Sequence, residues 1–149
     1  MSGLSKNFSI GEFITDEDMQ LCRRICPDYK TRIRKKLVGP ILQPLRTSLG
    51  LPIRITSGFR SPEHNNRIGG KPHSHHLFNA DRCAADFTIK DMSPAWHWLE
   101  QHRERFCYTY WDKERNFIHL SGLAKTDDRV GIMWIIEKKQ SDDKEVSNG

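Results

Sequence analysis

The chain has 149 residues, a formal charge of +5 and a sequence pI near 9.1, with 36% hydrophobic residues and a mean hydropathy of −0.69. That is enough chain for one domain with a sizeable core, and no apolar run is long enough to span a membrane. The start lacks the basic-then-apolar layout of a signal peptide, so synthesis in a cytoplasm is expected.

Residues 1 to 14 read as an extended arm in which Phe8, Ile10 and Phe13 supply apolar anchors. Thr15 followed by Asp16, Glu17 and Asp18 marks a helix start. A threonine hydroxyl caps free backbone N–H groups, and acids in the first turn suit the positive end of the helix dipole. This helix should end at Cys26, because Pro27 disfavours helical geometry in the residue before it. Cys22 and Cys26 fall one turn apart beside Met19 and Ile25, which points to core packing. With Cys83 and Cys107 they form no Cys-x-x-Cys pair and are read as reduced thiols.

From 29 to 49 the residues Ile33, Leu37, Ile41, Leu45 and Leu49 recur at steps of four, while Gly39-Pro40 and Pro44 interrupt the pattern. A kinked helix or two short ones is expected. Lys30, Arg32, Arg34, Lys35 and Lys36 concentrate positive charge there. No nucleic-acid motif accompanies them, so they read as a solvated helix face, with no specific nucleic-acid partner.

Gly50 stops this segment and Leu51-Pro52 leads into a strand over 53 to 57. Ser61-Pro62 starts a short helix that should end at Gly69-Gly70. A strand over 84 to 89 follows, then a helix from Ser93-Pro94 to about Arg105. Segments 106 to 111 and 117 to 121 read as a hairpin, and 131 to 136 as a fifth strand. Helices first, then strands and a hairpin, argue for an α+β domain over residues 1 to 136, expected to be a monomer. The polar residues 137 to 149 are expected to be a disordered tail.

The stretch from His73 to Phe87 is dense in metal ligands, with three of the chain's seven histidines, two aspartates and a cysteine in fifteen residues. Another histidine, His119, lies in the alternation Phe117-Ile118-His119-Leu120-Ser121, which reads as a strand. Two histidines with a carboxylate make a zinc-hydrolase ligand set, in which the fourth position is left to water. The plainer reading is a solvated His-rich turn.

The segments Ile55-Thr56-Ser57-Gly58-Phe59-Arg60-Ser61-Pro62, Gly69-Gly70-Lys71-Pro72-His73-Ser74-His75-His76-Leu77, Ala84-Ala85-Asp86 and Phe117-Ile118-His119-Leu120-Ser121 occur in that order. Together they resemble the zinc D-Ala-D-Ala carboxypeptidase family, which includes phage endolysins that cut peptidoglycan stem peptides. The opening Leu4 to Phe13 and the run Leu42 to Arg46 resemble its small, often phage-encoded branch, so the likeness covers about residues 4 to 121.

The resemblance implies the fold shared by these peptidases and hedgehog signalling domains, with a small, mainly antiparallel sheet carrying the metal. It also implies one zinc per chain on His76, Asp86 and His119, with Arg60 near the scissile bond as a catalytic and substrate-binding residue that binds a carboxylate or stabilises oxyanion charge, and Ser74 contacting substrate or supporting His76. The general base falls on Asp112, at the end of a strand that resembles one ending in glutamate in the family, or on Glu114 in the same turn. The implied activity is hydrolysis of a peptidoglycan stem peptide, after release by lysis machinery or from a virion. The rival is a non-catalytic phage or wall-binding protein that keeps the fold.

The chain departs from the family pattern in one place. Nine residues separate His76 from Asp86 where the family has six, and Asn79 stands where a glycine is usual. Asparagine tolerates the left-handed backbone that such a glycine provides. If the longer loop is re-routed, Asp81 or Cys83 takes the position assigned to Asp86.

Overall fold

Side-chain alternation along five strands builds one sheet with a dry face and a wet face. In the computed structural model, which describes residues 3–137, these strands are β1 (Ile53–Ser57), β2 (Ala84–Ile89), β3 (Phe106–Asp112), β4 (Phe117–Gly122) and β5 (Ile132–Ile136). Their order is β1-β2-β4-β3-β5. Every neighbouring pair is antiparallel except β3 and β5, which run parallel. Phe87, Ile118 and Leu120 face the dry side and are fully buried. On the other side Asp86 lies opposite His119, and His119 opposite Tyr110. The chain therefore has the expected α+β fold with a small, mainly antiparallel sheet.

Five α-helices accompany the sheet in the described residues: α1 (Asp16–Ile25), α2 (Tyr29–Ile33), α3 (Gln43–Leu49), α4 (Pro62–Arg67) and α5 (Met92–Glu100). The Thr15 hydroxyl accepts the Asp18 N–H at 3.3 Å, as the sequence predicts for an N-cap. Phe8, Ile10 and Phe13 are buried and anchor the arm. Gly58 explains how closely the arm approaches β1, since a Cβ there would fall 2.1 Å from the Phe13 carbonyl oxygen.

At Gly39-Pro40, where a kinked helix or two short ones is expected, the chain leaves α-helical winding without ending the helix. The chain instead winds as a π-helix from Arg34–Leu42 and passes directly into α3. Proline lacks the N–H an α-helix needs and its ring crowds the carbonyl four residues back, so a wider turn relieves both problems. A Cβ at Gly39 would lie 3.0 Å from the Arg34 carbonyl oxygen, which leaves that tight turn to glycine. Ile33, Leu37, Ile41 and Leu45 are completely buried along this rod.

Helix α5 differs from the expectation at both ends. It begins at Met92 after Asp91, and it stops at Glu100 instead of near Arg105. The His102 ring closes it: Nδ1 donates to the Trp98 carbonyl at 2.6 Å, occupying the acceptor that another helical turn would use. A short 3-10 turn, Arg103–Arg105, then delivers the chain to β3.

The long loop between His76 and Asp86 is anchored from below. Its left-handed residues are Phe78 (φ 56) and Ala80 (φ 54), so the backbone reversal falls on either side of Asn79 and not on it. Phe78 is buried edge-on against Phe59. The buried Arg32 donates to the carbonyls of Phe78 (2.8 Å) and Arg82 (3.1 Å), while Asp28 holds the guanidinium at 2.8 Å. Asp81 accepts N–H groups from Lys125 and Thr126 and faces Lys36 at 3.4 Å. Two members of the basic cluster are thus loop anchors, a correction to the solvated face expected for them. Residues 138–149 of the expected tail lie outside the described residues.

Replacing Arg32 with Ala should lower the unfolding free energy by about 2–4 kcal/mol, because it leaves two carbonyls under the loop without donors. Chemical denaturation checks this, and a loss under about 0.5 kcal/mol, the range of neutral surface changes, would show that the loop holds itself.

Candidate metal centre

His76 is presented by a single 3-10 turn, His75–Leu77, whose first free N–H groups need a cap. Ser74 supplies it, its hydroxyl accepting the His76 N–H at 3.2 Å. Arg60 N–H then donates to the His76 carbonyl at 2.8 Å and ties the turn to the end of β1. Asp86 and His119 come from the paired strands β2 and β4, which fix side-chain direction.

Each imidazole has one nitrogen already committed. His76 Nδ1 lies 2.7 Å from the Gly58 carbonyl oxygen, an acceptor only, so this nitrogen carries the proton and Nε2 keeps its lone pair. His119 Nε2 lies 2.7 Å from the Ser121 hydroxyl. Taking the ring nitrogen as donor there leaves Nδ1 with its lone pair. These two lone pairs face each other at 3.2 Å, and the Asp86 Oδ1 stands 3.2 Å from His76 Nε2 and 2.8 Å from His119 Nδ1.

Three acceptors with no hydrogen to share repel one another unless a cation sits among them. The donor set of two neutral imidazoles and one carboxylate fits zinc, with room for a further ligand. All three side chains are buried, and among the described residues they form the one group whose ligand atoms converge, within 4.8 Å. Burial pushes the His119 imidazole down despite the neighbouring carboxylate. An anionic carboxylate beside a neutral imidazole is the protonation state that binds metal.

Arg60 completes the surround. Its Nε donates to Ser57 Oγ at 3.2 Å, one terminal nitrogen to Asn65 Oδ1 at 3.2 Å, and the other faces Asp86 Oδ2 at 3.5 Å. A cleft of about 650 Å³ opens over the site, with Lys71, Tyr108, Tyr110, Arg115, Arg129 and Trp134 among its walls. The His119 ring stacks on Tyr110 (4.8 Å between centroids, 13°), and Tyr110 stacks on Trp134 (5.1 Å, 23°). These rings cross β4, β3 and β5 in register.

The structure thus brings together His76, Asp86, His119, Arg60 and Ser74. Cys83 is buried elsewhere, near the Arg32 carbonyl, and Asp81 is held by Lys125 and Thr126, so neither reaches the convergence point. Asp112 lies on the same face of β3 as Tyr110 but does not line the cleft. Its Oδ1 accepts the Arg115 N–H at 2.9 Å, and Oδ2 lies 3.6 Å from the Arg115 guanidinium. Glu114 is exposed in the turn. The wall residues Tyr110 and Trp134 were not singled out from the sequence. The available signal was register, since Tyr110 is two residues before Asp112 on a strand paired with that of His119.

The model of the family described as Peptidase M15 matches residues 12–121. The chain belongs to the peptidase M15 family. No curated protein matches it. The match spans every element from the end of the arm to β4, and so includes all three candidate ligands of this M15 peptidase.

His76→Ala and His119→Ala should each abolish stoichiometric zinc binding, whereas Cys83→Ser should retain one zinc per chain. Equilibrium dialysis with elemental analysis checks this. Retention by His119→Ala together with loss in Cys83→Ser would move the centre to the loop.

Proposed function

We propose that this M15 peptidase is a zinc hydrolase of the small phage type that cuts a peptide bond within the peptidoglycan stem peptide. The observation that carries the reading is the convergence of two histidine lone pairs and one carboxylate oxygen at the floor of an open, cation-rimmed cleft. Zinc, when bound there by His76, Asp86 and His119, supplies a Lewis acid and lowers the pKa of water toward neutrality. The protein's own groups do the rest. Arg60 faces Asp86 and helps aim it, and Ser74 holds the turn that presents His76. Lys71 puts a positive charge on the cleft wall suited to the carboxylates of a stem peptide, beside Arg115 and Arg129, which are paired with Asp112 and Asp127.

Asp112 is the proton acceptor in this reading, and Arg115, which lines the cleft, must release it. Apart from Asp86, no acidic residue is among those lining the cleft in the described residues. The cover over Asp112 is also the feature that favours the rival, a wall-binding protein that has kept the fold without the reaction.

Digestion of purified bacterial walls separates the two. The zinc-loaded protein should release new amino and carboxyl termini, lose this activity on chelation and regain it with added zinc. Asp112→Asn should lower turnover by roughly a hundredfold or more, as loss of a general base typically does, with zinc still bound. Zinc-replete protein that releases no termini would leave the binding rival standing. Full activity in Asp112→Asn would place the base elsewhere.

A further inference from the structure

Peptide hydrolysis needs a hydrogen-bond donor where the carbonyl oxygen gains negative charge, and the arginine beside a metal centre is the obvious candidate. In this protein each nitrogen of Arg60 already has a protein partner, in Ser57, Asn65 and Asp86, and its side chain is 13% exposed. Two of its five N–H groups stay unmatched, but swinging the guanidinium out toward a substrate would draw the nitrogen that faces Asp86 away from a nearly buried carboxylate.

The hydroxyl groups on the cleft wall belong to Ser74, Tyr108 and Tyr110. Ser74 caps the turn of His76. The Tyr108 ring also stacks on His119 (5.2 Å) and Trp134 (5.5 Å), but Tyr108 lies opposite Ser121 and not His119, and the Arg129 guanidinium sits 5.0 Å over its ring. Tyr110 lies opposite His119 itself. Its phenol makes no hydrogen bond to protein among the described residues. Its ring is held between His119 and Trp134 in a stack, so the hydroxyl is set in place before any substrate arrives.

We propose that Tyr110 is a catalytic residue whose phenol O–H donates a hydrogen bond to the scissile carbonyl oxygen as that carbon becomes tetrahedral. Arg60 is then a positioning residue that acts through Asp86. The inference rests on the peptidase reading and deepens it. Overall, water adds its oxygen to the carbonyl carbon, the C–N bond breaks with its electron pair going to nitrogen, and a water proton reaches the leaving amine by way of Asp112. Tyr110 keeps its proton throughout. Because charge on the oxygen is larger in the tetrahedral state than in the bound peptide, the contribution appears in kcat and not in KM.

Tyr110→Phe tests this, since it keeps the ring and the stack and removes only the hydroxyl. Measured on the zinc-loaded protein, kcat for a stem peptide should fall about 10- to 100-fold, toward the cost of losing one oxyanion donor, with KM within about twofold. Affinity for a phosphinate pseudopeptide, a stable mimic of the tetrahedral state, should fall by a similar factor in calorimetry, with zinc content and melting temperature unchanged. Arg60→Lys should instead weaken zinc retention, because an ammonium cannot reproduce the three-way fork. A Tyr110→Phe protein that matches wild type in kcat and phosphinate affinity overturns the proposal alone. Wild-type protein that releases no stem-peptide product overturns the peptidase reading and this inference with it.

Discussion

Three hydrogen-bond acceptors crowd one point in this protein, and the surrounding chain is arranged to keep them acceptors. Gly58 takes the proton side of His76, Ser121 takes that of His119, and Arg60 faces the far oxygen of Asp86. Each outer partner fixes a tautomer or a charge, so the inner atoms meet as lone pairs. Without a cation this costs energy, and with one the same convergence becomes binding energy. The fold in this region is therefore best understood as support for an ion.

That constraint explains features remote from the site. Gly58 must bring its carbonyl to His76 while the arm presses on its other side, which only a residue without Cβ allows. The arm itself stays in place through Phe8, Ile10 and Phe13 in the core. Arg32 and Asp81 hold the long loop between the first two candidate ligands, one from beneath and one from the side, and β2 starts in register with β4. Ring stacking from His119 through Tyr110 to the half-exposed Trp134 continues the rigidity out to the edge strand.

Much of this was legible in the sequence because it depends on short-range rules. Strand alternation located all five strands, and the caps Thr15 and Ser61 located two helix starts. The candidate ligands were named by the resemblance of the ordered motifs to a known family, since the residues alone fit a solvated His-rich turn as well. What was not legible depends on contacts between distant segments. The π-helical winding at Pro40 is a packed solution that local propensity reads only as an interruption, a kink or a pair of short helices. The early end of α5 depends on one His102 ring turning back to a carbonyl. The left-handed residues of the loop fall on Phe78 and Ala80 because a buried phenylalanine and Arg32 decide its path, and intrinsic preference alone would have chosen Asn79. Register was the missing step for Tyr110, which only the pairing of β3 with β4 places beside His119.

The most direct measurement of the central claim is X-ray absorption at the zinc edge on the metal-loaded protein. Two imidazole nitrogens and light oxygen donors should appear at about 2.0–2.2 Å, with no sulfur. A shell near 2.3 Å, the distance of a zinc–thiolate bond, or zinc bound without imidazole scattering, would contradict the account.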